Sequence, residues 1–149
     1  MIQRIQTVYL LIVAILSIVL MSSTIGRFIA PDNSIVEMTN LALINQEGAE
    51  NYEPWALFAA IMFSTIISLA TVFMFRKRML QIRLTIFNII LEICYYGILV
   101  IFVIALKGNS SFTPAWPVCL PFVNIVFNWL AIRAIGKDEV LVRAYDRLR

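Results

Sequence analysis

The 149-residue sequence contains no histidine. Imidazole-ligated haem, a histidine-containing zinc or iron site and a Ser-His-Asp triad are therefore excluded. Cysteine occurs only twice, at Cys94 and Cys119, too few for a CxxC redox motif. The two fall on different expected helices at different depths, which argues against a disulfide. There is no Gly-rich phosphate loop, no pair of carboxylates spaced for acid-base work and no activated nucleophile. Neither an enzyme, a cofactor nor a metal site is expected. Charge is the last scarce commodity: 14% of residues are charged against 61% hydrophobic, well outside the soluble range. Membrane is the class that composition selects.

Four stretches are long enough to cross a hydrocarbon core of about 30 Å at about 1.5 Å per helical residue. They run over about 5–24, 54–75, 84–106 and 115–135. The first follows Arg4 and ends near Ser22-Ser23-Thr24, a layout that a signal peptide shares. Its length and the lack of an A-x-A-like site favour a retained anchor. Only Glu92 interrupts the third span, and Arg133 in the fourth has a stem long enough to snorkel. Arg4, Arg76, Lys77, Arg78, Arg83, Arg133, Lys137, Arg143, Arg147 and Arg149 fall on one side of these spans, against Arg27 and Lys107 on the other. By the positive-inside rule both termini are cytoplasmic in a bacterial inner membrane. The basic residues lie between apolar runs, so nucleic-acid binding is not expected, and Arg76, Lys77, Arg78 and Arg83 read first as a topogenic cluster that could also hold an anionic lipid.

The expected fold is thus an all-α four-transmembrane-helix bundle in one domain, with three additions. The external loop, 26–53, is too long to be structureless in a compact domain, and the β-branched and apolar residues between Ser34 and Asn45 suit one or two short strands. It is either a partner-binding cap or a solvated connector. Trp55 and Trp116 stand at the external ends of the second and fourth spans as interfacial anchors. Pro121 falls inside the fourth span, where it should bend the helix. The tail, 136–149, spaces Val140, Leu141, Ala144, Tyr145 and Leu148 along one helical face opposite basic residues, as expected of an amphipathic helix on the inner leaflet or on a partner.

Glu92 is the one acid expected inside the bilayer, and on lenient scales a charge there costs about 2.5–3.5 kcal/mol. Counting about 1.5 Å per residue puts Glu92 roughly 12 Å, Asn128 roughly 10 Å and Asn124 roughly 16 Å below the cytoplasmic surface. Asn88 precedes Glu92 by four residues, as Asn124 precedes Asn128, so each helix presents a polar stripe. A polar seam of Asn88, Glu92, Asn124 and Asn128 between the third and fourth spans follows, serving as structural glue or as a proton or ion site. Ala56, Ala60, Ser64 and Ser68 recur every four residues on the second span as a small-residue ridge, for internal packing or for another subunit.

The opening Met1-Ile2-Gln3-Arg4-Ile5-Gln6-Thr7-Val8-Tyr9-Leu10 and the closing Ala134-Ile135-Gly136-Lys137-Asp138-Glu139-Val140-Leu141-Val142-Arg143, with Asp146-Arg147-Leu148-Arg149, resemble an uncharacterised Bacteroidetes family of four-helix membrane proteins, the domain of unknown function 4293. The resemblance spans essentially the whole chain. It implies the same four-span layout and no particular activity. The leading expectation for function is an accessory or scaffolding subunit that binds another membrane protein. The alternative is a small transporter or channel component using Glu92 as a proton or cation site.

Overall fold

The computed structural model describes residues 3–45, 47–74 and 77–147. Four long helices are present: α1 (Gln3–Met21), α2 (Trp55–Phe73), α3 (Arg78–Lys107) and α4 (Leu120–Arg147). They form a closed ring in which α1 packs on α2 and α4, and α3 packs on the other side of both. Among the described residues α2, α3 and α4 are each long and apolar enough to cross a membrane, while the apolar part of α1, Ile5–Met21, is shorter. At about 1.5 Å per residue its 17 residues rise about 26 Å.

The expected first span is cut short at Met21 by local chemistry. The hydroxyls of Ser22 and Ser23 donate back to the carbonyls of Ile18 (3.1 Å) and Val19 (2.6 Å), satisfying the helix end. The β-branched run that follows then leaves as a strand. The "all-α" expectation is corrected here. Strands β1 (Thr24–Ile29), β2 (Ile35–Thr39), β3 (Leu43–Asn45), β4 (Glu50–Asn51) and β5 (Ser111–Pro114) make one antiparallel sheet in the order β4-β3-β2-β1-β5. β2 and β3 lie where strands were expected. β1, β4 and β5 were not anticipated; β5 is only four residues long and finds its partner far away in sequence, Phe112 pairing with Phe28 and Thr113 with Arg27. This pairing stitches the α1–α2 connector to the α3–α4 connector, so the sheet is a lid shared by both helical hairpins.

The lid is docked rather than draped. Ile25, Phe28, Met38 and Leu43 are buried in one cluster with Leu20, Leu57, Ile61, Tyr95, Leu99 and Leu120 from the helices. The β1–β2 turn is set by Asp32, whose carboxylate accepts from the Ser34 amide (3.1 Å) and hydroxyl (2.7 Å). Those bonds hold the Asp32 carboxyl below its usual range. Gly26 sits beside an irregularity in the β1–β2 register, and a Cβ there would lie 2.5 Å from the Phe112 ring and 2.8 Å from the Thr113 carbonyl. Gly26→Ala is expected to force β1 and β5 apart and cost about 1–3 kcal/mol. A lowered thermal midpoint in mild detergent is the readout; an unchanged midpoint would mean that β5 does not seal the lid.

Two further expectations change at the start and end of α4. A 3-10 turn over Trp116–Cys119 precedes the helix, so Pro121 lies in the first turn, where its missing N–H costs no internal hydrogen bond. It does not bend a span. Tyr96 marks the start of this helix by donating to the Val118 carbonyl (2.7 Å) and accepting from the Phe122 amide (3.0 Å). At the other end α4 continues through Gly136 without a break. Leu148 and Arg149 lie outside the described residues; as far as Arg147 the tail is therefore an extension of the fourth helix and not a separate one. Its 28 residues span about 42 Å, more than a hydrocarbon core of about 30 Å.

Candidate functional site in the core of the helix ring

The burial pattern is inverted relative to a water-soluble bundle. Ile15, Ile18, Phe63, Ile66, Ile93 and Ile101 face outwards and are exposed, whereas Ser17, Ser64, Ser68, Asn88, Glu92, Asn124 and Asn128 are buried. In water this arrangement forfeits the hydrophobic effect. In lipid it is the favourable one, because polar side chains find partners only inside.

The inward stripe of α3 is the clearest case. Arg78, Gln81, Thr85, Asn88, Glu92 and Tyr95 follow one another at intervals of three and four, the spacing that keeps one helix face towards its neighbours. All but Arg78 are fully buried. Ser17 on α1, Ser64, Ser68 and Thr71 on α2, and Asn124 and Asn128 on α4 close around that stripe. The expected seam of Asn88, Glu92, Asn124 and Asn128 is thus brought together, but it is a four-walled core and not a two-helix seam. Ser64 and Ser68 belong to it as hydrogen-bonding groups, whereas Ala56 and Ala60 are only partly buried.

Glu92 is 1% exposed and lies at the centre. Its Oε2 accepts from the Asn128 amide (3.3 Å) and its Oε1 from the Ser64 hydroxyl (3.4 Å). The Asn124 side chain faces the same carboxylate and donates to Ser17 Oγ (3.0 Å). One turn along, Asn88 donates to Ser68 Oγ (2.9 Å). Each amide thus spends its NH2 on a bond, yet the Oδ1 atoms of Asn88, Asn124 and Asn128 are buried with no hydrogen-bond partner among the described residues. No cationic side chain forms an ion pair with Glu92 among those residues; the pairs are Arg27–Glu37, Arg78–Asp138 and Arg143–Glu139. The core is therefore rich in oxygen acceptors and poor in positive charge.

Both ends of the core are closed by side chains outside the expected seam. At the lid, Asn40 is fully buried; its amide donates to the Leu20 carbonyl (2.5 Å) and its Oδ1 accepts from Tyr95 (2.8 Å). At the far end Gln6 donates to the Ala134 carbonyl (3.0 Å), Gln81 to the Thr71 carbonyl (3.2 Å), and Arg78 pairs with Asp138 at 3.1 Å. Arg78 is thus an interhelical tie and not a free member of the basic cluster. Lys77 and Arg83 are exposed, and Arg76 lies outside the described residues. Polar residues at three- and four-residue spacing within otherwise apolar runs were the available signal for Gln81, Thr85 and Ser17. Asn40, in a loop, carried none.

A family model for a domain of unknown function (DUF4293) matches residues 2–148. The chain belongs to this family. No protein with a curated description matches it. In this DUF4293 chain the helix ring, the sheet lid and the Glu92 core all fall inside the matched region, so the site is part of the family domain and not an appendage to it. Trp55 and Trp116 are both exposed at the lid end of the ring. Lys77, Arg78, Arg83 and Arg143 line a groove at the opposite end, together with apolar Met79 and Val142.

Proposed function

We propose that the protein crosses a bacterial inner membrane four times with both termini in the cytoplasm, and that it works as a small transporter or channel component through a proton or cation site at Glu92. The four-span reading is supported by the apolar outer face that α1 shares with the other helices. The orientation is supported by the concentration of Lys and Arg at the end opposite the lid. In this reading Trp55 and Trp116 rest in the outer headgroup layer, and the groove lined by Lys77, Arg83 and Arg143 meets anionic lipid at the inner one, with Met79 and Val142 against its acyl chain.

One observation carries the functional part: a carboxyl group, 1% exposed, sits among three amides and two serine hydroxyls where every wall of the ring contributes. Structural glue alone needs no acid, since amides and hydroxyls already pair with one another and an unpaired buried charge is strongly destabilising. Glu92→Gln preserves size and hydrogen bonding while removing the ionisable group. It is expected to abolish proton- or cation-coupled flux in proteoliposomes, a loss of tenfold or more relative to wild type, with little change in thermal midpoint. Undiminished flux in the variant would sink this reading.

An accessory subunit that binds another membrane protein is the second reading. The lid favours it, because β5 leaves its outer edge unpaired on a firmly docked sheet, and an open strand edge can accept a partner strand. Wild-type protein that supports no flux but co-purifies with another membrane protein would select this second reading over the first.

A further inference from the structure

We propose that the core binds one monovalent metal cation, of the sodium or potassium class, between the Glu92 carboxylate and the side-chain oxygens of Asn88, Asn124 and Asn128. This rests on the reading of Glu92 as the working group and names its ligand. The argument is a count of donors and acceptors. Ser64 donates to Glu92, Ser17 and Ser68 accept from Asn124 and Asn88, and each of the three amide NH2 groups donates to Ser17, Ser68 or Glu92. Three amide oxygens, all on residues at most 1% exposed, accept no hydrogen bond among the described residues.

A proton on Glu92 supplies one donor and can satisfy one of the three oxygens. A metal cation has no such limit, since it draws several oxygen ligands to itself at once. Hard oxygen donors, one anionic and three neutral, are the donor set that alkali and alkaline-earth ions take. Charge then chooses between them. Glu92 contributes a single negative charge, and no cluster of three or more acids or thiols exists among the described residues. A monovalent ion makes the core neutral, whereas a divalent ion would leave a net positive charge surrounded by hydrocarbon.

The test uses the full-length protein in lipid nanodiscs with dicyclohexylcarbodiimide, an apolar reagent that adds to protonated carboxyl groups in hydrophobic surroundings. Labelling of Glu92 is followed by mass spectrometry at constant ionic strength in choline, sodium, potassium and magnesium chlorides. Labelling in choline that slows at least tenfold in sodium or potassium, but not in magnesium, is the expected result. Asn128→Leu should raise the half-protecting concentration at least tenfold. Asn128→Asp, which doubles the acid count without removing an oxygen, should transfer protection to magnesium. Labelling that is equal in all four salts overturns the cation site while leaving Glu92 as an exchangeable proton site. No labelling of Glu92 under any condition overturns both this inference and the reading on which it rests.

Discussion

Asn40→Ala is expected to lower stability by about 2–4 kcal/mol, because it removes a partner from two buried groups, at about 1–3 kcal/mol for the one left with none and about 0.5–1.5 kcal/mol for the one that keeps another. The first is the Leu20 carbonyl at the end of α1, which accepts from the Asn40 amide at 2.5 Å and would keep only the Ser23 amide at 3.2 Å. The second is the Tyr95 hydroxyl, which donates to Asn40 Oδ1 at 2.8 Å. The backbone of Asn40 adds a third link by accepting from the Phe58 amide at 3.1 Å, so one residue of the lid joins α1, α2 and α3. Tyr95→Phe should cost less, about 1–3 kcal/mol, since it strands only Asn40 Oδ1. Thermal unfolding in mild detergent measures both. The double variant should be less damaging than the sum of the singles, as expected for groups in contact. Strict additivity would show that the two side chains do not act as a pair.

The second large effect is expected at the opposite end of the ring. Arg78 and Asp138 are only 22% and 12% exposed in their side chains, and their charged atoms lie 3.1 Å apart. Arg78 also donates to the Asp138 backbone carbonyl at 3.1 Å. Removing the arginine leaves an acid buried between α3 and α4 without its counter-charge. A fully buried pair costs about 3–5 kcal/mol to break in this way; partial solvent access reduces that here to about 2–3 kcal/mol. Arg78→Ala is therefore expected to destabilise strongly, and the double change Arg78→Met with Asp138→Leu should recover most of the loss by replacing charge with packing. Faster amide exchange in the first turns of α3, in the single variant but not the double, would locate the effect. Equal damage in both variants would show that the geometry of the pair, and not the stranded charge, is what matters.

Much of the helical layout was legible from composition. Hydropathy located the apolar runs because a helix that faces lipid cannot tolerate charge on its outer side, and this constraint is written residue by residue. The same logic singled out Glu92 and grouped it with Asn88, Asn124 and Asn128, since spacings of four place residues on one face. Boundaries were less legible. α1 stops at Met21 because two serines turn back on its carbonyls and a β-branched segment finds a partner strand. α4 runs past Gly136 because Asp138 is drawn into the ring by Arg78. The stop of α1 is set mainly by neighbours four residues away, whereas the partner of Asp138 lies 60 residues away.

The sequence by itself determined an asymmetric object: apolar faces turned outwards, basic residues gathered at one end, and a single acid in the middle of an uncharged span. These are properties of individual residues and their spacing, and they need no knowledge of neighbours. The tertiary structure decided which polar groups meet. Ser17 and Asn124 bond across 107 residues, and Tyr95 and Asn40 across 55. Strand β5 finds β1 from the other connector. A buried polar group is stable only through its partner, and partners are brought together by the closure of the ring. The core around Glu92, with its three unpartnered amide oxygens, is therefore visible only once all four helices are in place.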